Sequence, residues 1–409
     1  MANLTILHAA ELRLDAPFSG IGRPPAAVAA VLRDASLAAW AALVECALAR
    51  NVAAVLLAGG LCDGLERGVR AQARLRDGLL RLAAHGIAVG IVLGPRDPHD
   101  GLAVGAWPEG VTVFPPEGGM LVLAADGPQP LTIHGASCPP DSSADDAARR
   151  LQRGDAPGLH LGQLPAALAG AAPDAALSCG LEALLSARLD AWALGGTCAP
   201  ALVRPAEPCI VHASTPQGRG FAEVGPRGAS LIDVEDGVVA RVVLEPLDSV
   251  RCVELTVEAD DAADLPAQCG AALARARDMH RDRLLVVAAT VSGNAAALRG
   301  LRPPDARHAL LAALRREADA FSPGVWWARL RAAPPPPLGV AADDLIGEVA
   351  RHRGALGADA ERLAHFLHQR FARLSGAWSA TLEPREAAAL LDEAAALAAE
   401  LLASAEEAR

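Results

Sequence analysis

Residues 6–18 read ILHAAELRLDAPF, a short apolar run that ends in polar and turn-forming residues. Three further segments have the same form, and they read VLLAGGLCDG at 55–64, IVLGPRDP at 91–98 and DAWALGGTC at 190–198. Short apolar runs bounded by turn residues are typical of buried strands. The sequence therefore predicts buried strands that each deliver side chains from their carboxyl ends.

The first 244 residues alternate strand-like runs with helical segments rich in Ala and Leu. Helices are predicted at 26–50 and 66–85, and strands at 4–7, 52–57, 88–93, 121–124, 131–134 and 191–194. This alternation predicts a layered α/β core. Further β-rich runs surround the turn Gly225-Pro226-Arg227-Gly228 near the end of this region.

Together, these segments resemble the signature segments of the calcineurin-like metallophosphoesterases, in particular the SbcD and YhaO branch of bacterial DNA repair exonucleases. The stretch PQGR at 216–219, with the turn that follows it, extends the resemblance. The resemblance implies a four-layer β-sandwich flanked by helices over residues 1–245. It further implies a small α+β capping domain over 246–333, and a proline linker with a helical, partner-docking tail over 334–409.

The resemblance fails at the positions where the family binds metal. The family has Asp-x-His, Gly-Asp, Gly-Asn-His-Asp and Gly-His-x-His at the ends of these strands. This chain instead has the degenerate positions Arg13, Gly60, Pro95, Arg96, Gly196 and Cys198. Glu11 stands where the first family aspartate would be, and His160 in GLHLGQL lies near another family histidine. Glu11, His160 and Cys198 are thus the ligand types that remain as candidates.

A two-metal site needs several carboxylate, imidazole and amide ligands that converge on the ions. A guanidinium about 4 Å from a divalent ion is repelled by roughly 8 kcal/mol at an effective dielectric constant near 20. Arginine cannot escape by losing its proton. We therefore expect no metal cofactor, although the family uses two Mn ions.

Two interpretations remain for the arginines. If Arg13 and Arg96 point into the cleft, they replace the metals and can hold phosphate or nucleic-acid oxygens in a bidentate manner; if they point outward, the cleft is empty. Arg219 in PQGR is a third candidate for a phosphate contact. Cys198 is alternatively a small buried hydrophobe, and His160 a hydrogen-bonded loop histidine.

Composition excludes some function classes. The net charge of −11 gives no global attraction to nucleic acid, so any DNA contact is local. Eight cysteines without C-x-x-C spacing argue against a disulfide framework and a structural zinc site. The amino terminus lacks the features of a signal peptide, and no uncharged apolar stretch approaches 18 residues, so we expect a cytoplasmic protein without a membrane span.

The carboxyl-terminal region carries apolar stripes at helical spacing. The residues of these stripes are Leu363, Phe366, Leu367, Phe371, Leu390, Leu397 and Leu401. Such stripes are commonly intramolecular packing. The resemblance implies the alternative, that this tail docks onto a coiled-coil ATPase of the SbcC or YhaN kind, in a complex that includes a homodimer and, as a further partner, DNA.

Two functional hypotheses follow. In the first, the chain is a catalytically impaired SbcD/YhaO-type homologue, a pseudonuclease that acts as a scaffold or regulatory subunit of a coiled-coil ATPase complex. In the second, it is an active metal-dependent phosphodiesterase or DNA exonuclease with a rebuilt metal site. The first hypothesis requires only the ligand losses visible in the sequence.

Overall fold

A computed structural model describes most of the chain. The described residues are 4–62, 68–123, 130–172, 175–205, 207–259, 261–293, 298, 301, 303–322, 324–333 and 345–374, with 387, 388, 390–392, 394, 395 and 398. The helices are α1 (Ala26–Ala49), α2 (Val69–Ala84), α3 (Ala144–Arg150), α4 (Leu181–Ser186), α5 (Leu265–Met279), α6 (Pro304–Ala318), α7 (Leu345–Gly357) and α8 (Ala360–Leu374). The strands are β1 (Leu4–Ala9), β2 (Ala54–Ala58), β3 (Ala88–Val92), β4 (Val111–Val113), β5 (Gly119–Leu123), β6 (Leu131–Gly135), β7 (Leu159–Leu164), β8 (Ala167–Leu168), β9 (Ser178–Cys179), β10 (Ala191–Leu194), β11 (Ala201–Arg204), β12 (Cys209–His212), β13 (Gly228–Glu235), β14 (Val238–Pro246), β15 (Val250–Ala259), β16 (Leu284–Gly293) and β17 (Val325–Ala332).

Two six-stranded sheets form the centre of the molecule. The first has the order β14-β13-β1-β2-β3-β4, and the second has the order β11-β12-β10-β7-β6-β5. The inner strands of each sheet run parallel, while β13, β14, β5 and β11 pair antiparallel with their neighbours. Because parallel strands share a direction, the loops at their carboxyl ends gather at one edge of the sheets.

The sheets pack face to face between two helical layers. Ile6 and Leu56 of the first sheet meet Ile133 and Leu161 of the second in a fully buried core. Helices α1 and α2 cover the outer face of the first sheet, and α3 and α4 cover the outer face of the second. The predicted four-layer α/β sandwich flanked by helices is therefore confirmed.

The three-stranded parallel sheet β15-β16-β17 forms a separate layer after the sandwich. Helices α5 and α6 cover one face of this sheet. Its other face packs against α1 and the preceding loop, where the Trp326 indole N–H donates to the Ile21 carbonyl at 2.8 Å. Helix α6 was not predicted from the sequence. The proline run 334–337 lies outside the described residues.

Helix α1 is long and apolar enough to cross a membrane by length and composition alone. Its residues Leu32, Ala39, Trp40 and Leu43 are buried in the sandwich. An apolar stripe covered by the helix's own domain is the ordinary pattern of a core helix.

His8 on β1 joins the two sheets and makes the fold sensitive to acid. Its Nδ1 lies 3.4 Å from the Leu56 carbonyl oxygen, and its Nε2 lies 3.2 Å from that of Leu194. Burial, which outweighs the two carbonyls, lowers the pKa of His8 to about 4 from 6.5. The unfolded chain therefore binds a proton at a pH where the folded chain does not.

We expect the contribution of His8 to stability to be complete above pH 6.5 and to be lost as the pH falls toward 4. The pKa difference corresponds to about 3 kcal/mol. Urea unfolding of the wild type and His8→Gln at about pH 7 and about pH 4.5 measures this contribution of His8 to the free energy of unfolding. The variant should lose less stability on acidification, and an equal loss in both proteins would contradict the assignment.

Candidate functional site

A cleft of about 200 Å³ lies where the carboxyl ends of strands from both sheets meet. It follows β1, β2 and β3 of the first sheet and β7 and β10 of the second. Its lining consists of Glu11, Arg13, Gly59, Gly60, Gly94, Pro95, Arg96, Pro165, Ala176, Leu177 and Gly196. The structure thus brings together Glu11 and five of the six positions that the sequence analysis identified as degenerate.

The loop after β1 is held against the loop after β2 by backbone hydrogen bonds. The N–H of Glu11 donates to the Gly59 carbonyl at 2.9 Å, and the N–H of Arg13 donates to the Gly60 carbonyl at 2.8 Å. Glu11 and Arg13 have φ values of 51° and 40°, in the left-handed region that non-glycine residues rarely occupy. Such backbone strain persists where the surrounding contacts fix it, and it is concentrated at functional sites.

Both candidate arginines reach the same carboxylate in the cleft. The Arg13 Nε donates to Glu11 Oε2 at 2.7 Å, and an Arg96 guanidinium nitrogen lies 3.7 Å from the same oxygen. Burial, the largest single influence, acts to lower the pKa of Arg13, but the charges of Glu11 and Glu223 and the hydrogen bond to Glu11 act together to raise it. Of the two alternatives for Arg13 and Arg96, the inward orientation is the one that the structure shows.

Gly60 stands where the family has its bridging aspartate, and the Glu11 carboxylate lies against it. A Cβ atom on Gly60 would lie 2.7 Å from the Glu11 Cδ and 2.8 Å from the Glu11 Cα. Real Cβ atoms do not approach other heavy atoms so closely. The side chain of Glu11 therefore fills the space that a side chain at position 60 would need.

Asp97 belongs to the cleft loops, but its side chain does not face the cleft. Its carboxylate accepts hydrogen bonds from the backbone N–H groups of Gly60, Leu61 and Gly94 at 2.7–2.8 Å. Burial raises the pKa of Asp97 to about 6, although these N–H groups act in the opposite direction. Asp97 thus fixes the loop after β2 to the loop after β3.

Arg219 does not line the cleft, which corrects the expectation that it contacts phosphate. It is 4% exposed, and its guanidinium donates to the Leu12 carbonyl at 3.2 Å and to Thr215 Oγ1 at 3.4 Å. It also pairs with Glu223 at 3.5 Å. Its donors are directed at the protein interior, so Arg219 supports the loop that carries Glu11 and Arg13.

Cys198 lies beside this buried ion pair. Burial raises the pKa of the Cys198 thiol to about 12, and the charge of Glu223 acts in the same direction. The thiol is therefore protonated at neutral pH, whereas a metal ligand or a nucleophile must be a thiolate. This environment favours the structural interpretation of Cys198 over the ligand interpretation.

His160 is remote from the cleft, because it is the second residue of β7 while Pro165 follows the last. Five residues of strand correspond to roughly 16 Å. The His160 Nε2–H donates to the Ala156 carbonyl at 2.9 Å, and its Nδ1 accepts from His134 Nε2 at 2.9 Å. The side chain is thus a buried, hydrogen-bonded histidine, and Pro165 is the residue that this strand presents to the cleft.

The cleft residues do not fit a two-metal centre. Glu11 is the only carboxylate in the lining given above, and its Oε2 already accepts from Arg13. No group of three or more His, Cys, Asp and Glu side chains suited to a metal occurs among the described residues. Asp63, which follows the Gly59-Gly60 pair, lies outside them. Two guanidinium groups further oppose a divalent ion at this position.

The predicted docking residues of the tail differ in how far their side chains are exposed. Leu363 on α8 is 6% exposed and packs with Leu367, Ala387 and Leu391 within the tail. Phe366 is 50% exposed and Leu390 is 37% exposed. The side chain of Phe371 and the whole of Leu397 and Leu401 lie outside the described residues. Leu363 and Leu367 therefore stabilise the tail itself, and Phe366 and Leu390 are accessible.

The sequence analysis did not single out Glu223 and Asp97 as site residues. Glu223 pairs with Arg219 and lies 3.7 Å from Arg13. Burial acts to raise the pKa of Glu223, but the charges of both arginines and the hydrogen bonds from Cys198 and the Arg219 backbone together lower it. Their positions in the sequence could have identified them. Asp97 matches the final Asp of the family motif Gly-Asn-His-Asp, and Glu223 closely follows PQGR.

Solved structures of other proteins align with about 60% of this chain. No protein-family model matches the chain. Among solved structures, a protein of Thermus thermophilus superposes with a TM-score of 0.37 at 15% identity, over 60% of this chain and 100% of that chain. A dimetal phosphatase from Danio rerio has a TM-score of 0.35 at 11% identity, over 60% of this chain and 96% of that chain.

The chain is also similar in sequence to a known protein. The uncharacterized metallophosphoesterase YhaO of Bacillus subtilis strain 168 is 28% identical over 246 residues, which is 59% of this chain. The match spans 60% of the length of that relative.

Proposed function

We propose that this protein is a pseudonuclease of the SbcD/YhaO type, which keeps the fold of a metal-dependent exonuclease without its two-metal chemistry. The observation that carries the proposal is the contact of Arg13 and Arg96 with one oxygen of Glu11. Glu11, the one carboxylate among the described residues that line the cleft, is neutralised by guanidinium groups. The space beside it is lined by residues that offer no ligand side chain, such as Gly60, Pro165 and Gly196.

The proposed role is that of a scaffold or regulatory subunit in a DNA repair complex. Its proposed partner is a coiled-coil ATPase of the SbcC or YhaN kind, with a homodimer of this chain and DNA as further members. The exposed Phe366 and Leu390 of the tail support docking of such a partner. These side chains belong to helical segments that follow the three-stranded sheet in the chain.

The retained architecture is consistent with a scaffold. Glu11 and Arg13 keep a strained backbone, and Asp97 still joins two cleft loops through buried hydrogen bonds. These features preserve the shape of the site and provide no second ligand. A scaffold needs that shape for assembly, whereas an enzyme with a rebuilt metal site would in addition need donors around Glu11.

Hydrolysis assays test the proposal directly. With Mn²⁺ present, the purified protein should hydrolyse a nitrophenyl phosphodiester and single-stranded DNA no faster than its Glu11→Ala variant. Metal analysis after dialysis should find manganese far below one equivalent per chain. An active manganese-dependent phosphodiesterase serves as the assay control. Stoichiometric manganese, or turnover that Glu11→Ala abolishes, would instead establish the active-enzyme alternative.

A further inference from the structure

We infer that two copies of this chain associate through strand β14, which pairs antiparallel with its own copy about a two-fold axis at Val243. The inference rests on the proposed function for the existence of a homodimer, and it names the surface that forms it. Pairing of this kind joins the first sheets of the two copies into one continuous sheet.

Strand β14 is an edge strand of the first sheet. In the part of the chain that the structure describes, it pairs with β13 alone. The N–H and C=O groups on the other side of an edge strand are a template for pairing with another chain. With nine residues, β14 is longer than β4, β5 and β11, the other edge strands of the two sandwich sheets. It therefore offers the longest hydrogen-bonding edge of the sandwich.

Apolar side chains accompany this edge. Because β1 and β2 lie over β10 and β7, β11 is the edge of the second sheet on the same side as β14. Leu202 of β11 is paired with Val211 of the core between the sheets, but Leu202 is 48% exposed. Val239 and Val242 of β14 are only partly buried against the same core. A partner at this edge would therefore bury apolar surface in addition to forming backbone hydrogen bonds.

The charges of β14 are arranged symmetrically about Val243. Arg241 and Glu245 are the charged residues of the strand, and each lies two positions from Val243. Residues two apart in a strand project from the same face of the sheet. Antiparallel pairing centred on Val243 is the one register that places Arg241 of each copy directly opposite Glu245 of the other. Opposite charges in such cross-strand pairs are stabilising, whereas like charges are destabilising.

The other pairs in this register are compatible with it. Val242 of one copy lies opposite Leu244 of the other, and the two Val243 side chains lie opposite each other on the axis. The paired segment, 241–245, is bounded at one end by the bulge at Ala240 and at the other by Pro246, which has no N–H group to donate. The irregular ends of β14 therefore lie outside the pairs that the inference requires.

A second copy is the partner that this pattern fits. A two-fold interface uses the same patch on both subunits, so the patch must be complementary to itself. Opposite charges at equal distances from Val243 meet this requirement. Glu245 also pairs with Arg50 of α1, but its side chain is 30% exposed and its carboxylate has two oxygens, so it can accept a second guanidinium.

Charge reversal tests the inference in the full-length chain. Sedimentation velocity over a range of protein concentrations should show dimers of the wild type. Arg241→Glu and Glu245→Arg should each raise the dimer dissociation constant about tenfold or more, because each places like charges opposite each other twice. An equimolar mixture of the two variants should form dimers again, since every charged pair in the mixed dimer is then of opposite sign.

The control is Arg275→Glu, which makes the same charge change at an exposed position on α5. It should dimerise like the wild type. Restored association in the mixture also excludes misfolding as the cause of the weaker dimers, because mixing does not repair a damaged fold.

Cysteine crosslinking locates the axis. Val243→Cys should form an intermolecular disulfide under mild oxidation, because side chains opposite each other in antiparallel strands have Cβ atoms about 5 Å apart. Val238→Cys is the matched control, since Val238 is 52% exposed but would lie ten residues of strand, roughly 34 Å, from its copy. The wild type, with the same native cysteines, gives the background.

The outcomes separate this inference from the proposed function. Dimers that neither charge variant weakens, a mixture that dimerises no better than the single variants, or equal crosslinking at positions 238 and 243 would overturn the pairing of β14. The homodimer and the pseudonuclease proposal would then stand. A wild type that is monomeric at all concentrations would overturn both the pairing and the homodimer. Manganese-dependent turnover would contradict the pseudonuclease proposal whatever the oligomeric state.

Discussion

Gly60→Asp, which introduces the aspartate that the family has at this position, is expected to lower the free energy of unfolding by about 5 kcal/mol. Gly60 has a φ of +67°, where a Cβ atom costs about 1 kcal/mol or more. Its new Cβ would also lie 2.7 Å from Glu11 Cδ and 2.8 Å from Glu11 Cα. The backbone atom cannot move aside as a flexible side-chain end can, and the added carboxylate would face that of Glu11.

Urea unfolding of the variant, with Gly20→Asp as the matched control, measures this effect. Gly20 has a φ of +68°, but nothing lies within 4 Å of a Cβ placed there. The control should therefore show only the backbone cost, and the difference between the two variants is the cost of the close approach. Equal destabilisation of both variants would show that Glu11 does not fill the space beside Gly60.

Asp97→Ala is expected to cost about 4 kcal/mol of stability, since it removes the acceptor of four buried backbone donors at about 1–3 kcal/mol each with partial relaxation. Gly60, Leu61 and Gly94 donate at 2.7–2.8 Å and Cys62 donates at 3.5 Å, from two different loops. Their release should also disorder the loop that carries Arg96. The loss of stability is measured by urea unfolding near neutral pH.

Asp155→Ala is the control for Asp97→Ala, because Asp155 is an exposed loop carboxylate. It should change the unfolding free energy by less than about 0.5 kcal/mol. Asp97→Asn adds a further comparison, since its amide keeps one acceptor oxygen and places donors against the backbone N–H groups. It should fall between the wild type and Asp97→Ala. Wild-type stability of Asp97→Ala would contradict the role given to this carboxylate.

The glycines of the cleft leave no room for larger side chains. A ligand side chain at position 60 would meet the backbone of Glu11, and a side chain on Gly196 would meet the backbone nitrogen of Ala167 at 2.6 Å. The cleft loops are therefore packed closely against Gly60 and Gly196. Creation of a metal site by a single substitution is not expected, because several backbone segments would have to shift together.

The sequence predicted strands of the sandwich core because short apolar runs directly indicate buried strands. Such runs precede Glu11, Gly59 and Gly94. It also identified five of the positions that line the cleft, since spacing after a strand end fixes which residue faces the cleft. It did not predict α6. It also placed Arg219 and His160 at the site, although burial and strand register direct them elsewhere.

By itself, the sequence determined the chemical types at the strand ends, and it thereby predicted that most of the metal ligands implied by the resemblance are missing. Only the tertiary structure decided which groups the charged side chains at the strand ends contact. Arg13 and Arg96 meet on Glu11 because loops far apart in the chain are joined by Asp97 and by backbone hydrogen bonds. The direction of a side chain depends on such long-range contacts, and a linear pattern of residues does not contain them.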